Sequence, residues 1–264
     1  MLEFNEILSD FKGKIEYLAK RIEFLKKASF DQYENYLKNF YSIKPMKKAI
    51  IENLIKNNTK FEQYPEDIKE IMSEFWEKLI FIASISSFLD EQTIITAYSN
   101  YEHFLRKLCE EYYFYFPSEL NTDTIKYETI LELGSISEIT DYLINKKLKE
   151  LWGNIDEIQK EAIKLFNIKI KDIDTYSKII KKIVSIRNQL VHQTGEIDRE
   201  FLEKNPEYFF KIGENKFNDL NLTIGTKIQL KNGELKDFID TILKLSSLIV
   251  EKLNEKLKSR KIIE

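Results

Sequence analysis

Apolar side chains recur at helical spacing along most of this chain. Phe4, Leu8, Phe11, Ile15, Leu18, Ile22 and Leu25 are separated by alternating steps of four and three, which lays them along one seam of a helix. Such a seam suits a coiled-coil or dimerisation helix. With only about three heptads, it suits better a bundle helix packed against its own chain. Pro45 interrupts the pattern, and Asn57-Asn58-Thr59 closes the short helix that follows it. Pro65 before Glu66 and Asp67 reads as a helix start, since proline loses no hydrogen bond there and carboxylates favour the positive end of the helix dipole. Ile68, Ile71, Phe75, Leu79 and Ile82 form its buried face. The pattern predicts an end near Leu89, with Asp90 capping a further helix whose stripe runs Ile94, Tyr98, Tyr101, Leu105, Leu108 and Tyr112 before Pro117. The aromatic cluster from Tyr112 to Phe116 offers stacking surface for bases, but aromatics on a helix more often supply core and interface mass.

Residues 122–168 read as shorter helices with polar connections, and Lys146-Lys147-Leu148-Lys149 as a solvated face. A longer helix begins after Asp174, and Gly195 supplies its stop. From Phe217 to Leu230 the period changes, with Leu220, Leu222, Ile224, Ile228 and Leu230 alternating with polar residues around Gly225. This predicts a small β-hairpin, ended by Asn232-Gly233. Leu235, Phe238, Ile242, Leu245, Ile249 and Leu253 then return to helical spacing. The expected fold is mostly α, a helical bundle with a small β-hairpin near the C-terminus. Residues 1–84 form an N-terminal helical region with a coiled-coil-like first helix, 85–258 a helical domain, and 259–264 a charged tail.

Composition agrees with helices: among 264 residues, 43% are hydrophobic and 32% charged, with only 7 glycines and 4 prolines. The net charge of −3, from 41 basic and 44 acidic side chains, means that affinity for nucleic acid has to come from a local patch. Cys109 is the single cysteine, so no intramolecular disulfide forms, and with two histidines no usual structural zinc site can be assembled. The reading is a cytoplasmic protein with no metal and no cofactor. The longest apolar run, Leu79 to Leu89, is short and carries Ser84, Ser86 and Ser87, which argues against a membrane segment. No glycine-rich phosphate loop and no internal repeat is present, which disfavours ATP or NAD chemistry.

The candidate chemistry lies in Arg187-Asn188-Gln189-Leu190-Val191-His192, which puts a guanidinium, an amide and an imidazole within about two helical turns. Imidazole is the side chain that changes charge near neutral pH, and His103 and His192 are the only two available. His103, flanked by Glu102 and Arg106, reads as an ordinary packed or surface histidine. At about 100° per residue, Lys178, Lys181, Ser185, Asn188 and His192 fall within about 40° of one line, a track for a phosphate backbone. Arg187 lies roughly 140° from His192, on the apolar arc. A guanidinium there needs a partner, and Glu102 is the first candidate, unless the helix frays before His192. Ser185 shares the stripe, but no carboxylate joins it to orient a Ser-His pair, so a hydrolase triad is disfavoured.

Arg187-Asn188, three residues and then His192, near the end of a long helix in the C-terminal half of a helical chain, resembles the RNxxxH signature of the HEPN superfamily. The preceding helix with Tyr101-Glu102, and a hairpin followed by a final helix, add to the likeness, which covers residues 85–258. Many members are metal-independent ribonucleases of toxin and phage-defence systems. The resemblance implies that Arg187 and His192 form a catalytic pair and that Asn188 orients substrate or the imidazole. It also implies a homodimer through the HEPN-like domain, with two motifs facing one cleft, and an antitoxin or defence-system partner. The tyrosine that often follows two positions after the histidine is replaced here by Thr194, so control through its modification is not implied. The expected reaction is attack of a ribose 2′-hydroxyl on the adjacent phosphodiester. His192 transfers the proton, Arg187 stabilises phosphoryl charge, and Lys178, Lys181 and Ser185 bind RNA. The alternative is a catalytically inactive relative that binds RNA or a protein through the same groove. A purely structural scaffold built on the Phe4 to Leu25 seam is a weaker one.

Overall fold

A computed structural model describes residues 2–43, 57, 63–120, 125–151, 155–206, 225–228, 230 and 233–261. They are mostly helical. Helix α1 is Leu2–Ile43 and α2 Glu66–Tyr115, followed by a 3-10 turn at Pro117–Glu119; then come α3 (Tyr127–Leu133), α4 (Ile136–Glu150), α5 (Ile155–Leu165), α6 (Ile170–His192), α7 (Arg199–Lys204) and α8 (Glu234–Lys261).

The chain divides into two compact units, one of Met1–Tyr17 with Ile94–Glu264 and one of Leu18–Thr93. This division differs from a boundary at residue 84. The opening turns of α1 belong with the C-terminal helices because Phe4, Phe11 and Ile15 are buried among them. Phe11 stacks on Phe104 with ring centroids 4.6 Å apart and lies 6.3 Å from Tyr101. The first part of the seam therefore packs inside its own chain, whereas Leu25, at 38% exposure, does not. In the smaller unit Ile22, Ile68 and Met72 are buried and Lys26 pairs with Asp90 at 2.5 Å.

Several boundaries differ from the expected ones. The helix begun at Glu66 does not stop near Leu89 but continues to Tyr115. Asp90 is an interior residue whose carboxylate meets Lys26 instead of capping. Nearby hydroxyls bond back to carbonyls of the same helix, Ser84 to Phe81 and Thr93 to Leu89, both at 2.6 Å, so polar side chains here do not break it. Helix α6 begins at Ile170, before Asp174, and α8 runs through Lys261, so the first three of the six residues of the charged tail are helix. Lys147 lies 3.9 Å from Glu161, so the lysine cluster is not wholly a solvated face.

Most of the expected hairpin, residues 217–224 and 229, lies outside the described residues, as do Pro45, Asn58 and Thr59. Among the described residues there is no strand, only an antiparallel bridge between Glu196 and Lys227. Residues 225–228 pair with the segment after α6: Ile197 N–H donates to Thr226 O and Gly225 N–H to Ile197 O, both at 2.8 Å, and Ile228 N–H to Gly195 O at 2.9 Å.

The larger core is apolar and aromatic. Ile94, Leu105 and Leu108 of α2, Ile183 and Ile186 of α6, and Phe238, Ile242, Leu245 and Ile249 of α8 are all buried. Helix α6 packs along α8 and α7 against α6. Tyr112 meets Phe166 edge to face at 5.5 Å, and Lys256 of α8 sits 5.0 Å above the Tyr112 ring while donating to the terminal Leu165 carbonyl of α5. Cys109 is fully buried, and burial, then the Glu161 charge, push its thiol well above the usual range.

Candidate active site on helices α6 and α7

The C-terminal turn of α6 is closed by a chain reversal that the sequence supplies. Gln193 N–H and Gly195 N–H both donate to Gln189 O at 3.0 Å, and Thr194 and Gly195 adopt left-handed φ values of 53° and 77°. Glycine takes this conformation freely and threonine does not. The Gln189 side chain is buried and donates through Nε2 to Glu196 O, and Lys227 Nζ donates to Thr194 O. Asp198 then caps α7, its Oδ1 accepting from Phe201 N–H at 2.7 Å. The Gln189 amide, and after it the Phe201 N–H, hold the Asp198 carboxyl below the usual carboxylate range.

Between α6 and α7 lies an open cleft of about 510 Å³. Lys181, Ser185, Asn188 and His192 line one wall, and Asp198, Glu200, Phe201 and Lys204 the other. His192 and Asn188 are exposed and stand one turn apart on the same face. The charge is mixed. Lys181 is exposed, while Lys204 pairs with Glu200 at 2.6 Å, a contact that raises the Lys204 ammonium above its ordinary value.

The predicted stripe is thus largely gathered at one cleft, with two qualifications. Lys178 is not part of its lining and stands 3.9 Å from Asp174. Ser185 Oγ accepts from Asn205 Nδ2 at 2.9 Å, and Asn205 also donates to Phe201 O, so the hydroxyl helps fasten α7 to α6.

Arg187 is not in the cleft. Its guanidinium carbon lies 5.1 Å from the Tyr98 ring centroid, within cation–π range, and Nη1 donates to Asn188 Oδ1 at 3.0 Å. Its Nε is buried without a hydrogen-bond partner. Among the described residues Glu102 makes no ion pair with Arg187, which corrects that expected pairing. The cation is met by the aromatic face one turn earlier on α2, because Tyr98 is buried at 5% exposure and Glu102 is only half-buried. The helix does not fray before His192, which is its last residue. His103 is exposed, as an ordinary surface histidine would be.

Tyr98, Gln189, Asp198, Lys204 and Asn205 are the contributors that sequence reasoning missed. Asp198 carried a legible signal, a capping residue before Phe201-Leu202. The others act through tertiary contacts that spacing does not encode. Chemically, the arrangement places an exposed imidazole one turn from an amide, in a solvent-open groove that an ammonium also lines. Among the described residues no three of His, Cys, Asp and Glu are grouped as metal ligands, and no helix is long and apolar enough to cross a membrane. No family model, characterised protein or solved structure matches the chain.

Proposed function

We propose that this protein is an endoribonuclease that cleaves RNA without a metal ion, acting as a toxin or anti-phage effector in the cytoplasm. The observation that carries the reading is His192, exposed on the rim of the α6–α7 cleft, one turn from Asn188 and on the same wall as Lys181. An imidazole so placed can take the proton of a ribose 2′-hydroxyl as that oxygen attacks the adjacent phosphorus and the P–O5′ bond breaks. The products are a 2′,3′-cyclic phosphate and a 5′-hydroxyl, whose oxygen takes its proton from water or from His192 of a second copy. Lys181 attracts the backbone, and Asn188 fixes its register. The HEPN-like signature adds Arg187, whose charge bears on the phosphoryl oxygens through Asn188, to which it donates. The same signature implies a homodimer, in which two such motifs share one groove.

The test is incubation with labelled RNA in EDTA. Acid–base assistance is worth about 10²- to 10⁴-fold, so His192→Ala loses most turnover while keeping its helical signal. Undiminished cutting by the variant overturns the assignment. The position of Arg187 outside the cleft also favours a second reading, a catalytically inactive RNA- or protein-binding regulatory module. That reading predicts salt-sensitive retention of RNA without products.

A further inference from the structure

Asn188 is the residue through which Arg187 touches the cleft. A guanidinium carries only donors, so the atom of Asn188 facing it has to be the carbonyl oxygen. The bond from Arg187 Nη1 to Asn188 Oδ1, at 3.0 Å, meets that requirement. It leaves the amide NH2 as the part of Asn188 available to the cleft that this side chain lines. Arg187 is itself held by the Tyr98 ring, whose centroid lies 5.1 Å from the guanidinium carbon. With Nε buried and unpartnered, and no carboxylate pairing with it among the described residues, the guanidinium polarises the amide it contacts.

We propose that Tyr98 and Arg187 are positioning residues for Asn188: the aromatic face holds the guanidinium, which holds the amide with its NH2 toward the cleft as a donor to a phosphodiester oxygen. The inference rests on reading this cleft as the RNA site, and it deepens that reading. Asn188 becomes a donor and not an acceptor, and the site selects anionic or carbonyl oxygens at that point. Asn188→Asp presents acceptors only, so it disfavours RNA more than Asn188→Ala does.

The test uses a fully 2′-O-methylated oligonucleotide, which lacks the attacking hydroxyl, so binding is read by fluorescence anisotropy apart from cleavage. Loss of one hydrogen bond to a charged oxygen predicts about tenfold weaker binding for Asn188→Ala. Arg187→Met is expected to weaken binding similarly in the native background and to add under about twofold once Asn188 is alanine, a non-additive cycle. Additive losses overturn the proposal, because Arg187 then contacts the nucleic acid by itself. Should Arg187→Met not fold, Arg187→Lys carries the same cycle, since lysine lacks the planar fork.

A second readout needs no RNA. The Asn188 side-chain NH2 resonances move in Arg187→Met and in Tyr98→Leu, and return to place in Tyr98→Phe, which keeps the ring. Identical resonances in all three overturn the proposal, as does a wild-type protein that does not bind the oligonucleotide. RNA that is bound in this manner but never cut removes the ribonuclease reading and leaves the positioning role standing.

Discussion

The two left-handed residues that end α6 predict substitutions of opposite sign at adjacent positions. Gly195 has φ 77°, and a Cβ built there meets Leu190 Cδ2 at 3.2 Å. An L-residue in this conformation costs about 1–2 kcal/mol. The methyl contact adds a little, because Leu190 must shift by a few tenths of an ångström. Replacing glycine also lowers the entropy of the unfolded chain, which offsets about 0.4–1 kcal/mol. Gly195→Ala is therefore destabilising by about 1 kcal/mol. Thr194, at φ 53°, already bears the same conformational cost with a β-branched side chain. Thr194→Gly relieves about 1–2 kcal/mol and gives back part of it through unfolded-state entropy, for a net gain of about 0.5 kcal/mol. Its main-chain acceptor for Lys227 is retained. Urea unfolding followed by circular dichroism reads both as midpoint shifts at constant slope, down for Gly195→Ala and up for Thr194→Gly. Exchange of the Gln193 and Gly195 amide protons, both bonded to Gln189 O, localises the effect to this turn. A neutral or stabilising alanine at 195 refutes the argument that the reversal beside His192 depends on glycine.

Other outcomes follow from the same geometry. Asp198→Ala removes the cap of α7 and costs about 1 kcal/mol at neutral pH. Since the folded carboxyl is held below its ordinary value of 3.8, that stabilisation is present above about pH 4 and is lost as pH falls through the folded value. The gap between wild type and variant therefore narrows in acid, and a gap unchanged at the lowest pH at which the fold persists contradicts the linkage. Cys109, buried and kept protonated, resists a disulfide reagent in the native protein and reacts once it is unfolded; rapid native labelling contradicts its placement. Asp90→Ala removes only the Lys26 pair, a loss of about 1 kcal/mol or less, and leaves helical content unchanged, whereas removal of a true cap shortens the helix.

Much of the helical plan was legible in the sequence because burial follows the 3.6-residue period. Phe4, Phe11 and Ile15, and again Phe238, Ile242, Leu245 and Ile249, are buried as their spacing implies. The break near Leu89 was misread because aspartate and serine are ambiguous signals: each favours a cap, yet aspartate tolerates a helix interior when a lysine donates to it and serine when an earlier carbonyl accepts from it. At the site, the stripe on α6 placed Lys181, Ser185, Asn188 and His192 together because helix geometry alone determines who shares a face. The partner of Arg187 was not legible, since the choice between the Tyr98 ring and the Glu102 carboxylate depends on how α2 packs against α6. Nor was the tie from Asn205 to Ser185, made across a chain reversal.

The most direct test of the central claim is mass spectrometry of the ends produced when the protein cuts RNA in EDTA. The account predicts 2′,3′-cyclic phosphate and 5′-hydroxyl termini, formed by the wild type and almost absent with His192→Ala. Products ending in 5′-phosphate, or cyclic termini formed equally well without the imidazole, contradict it.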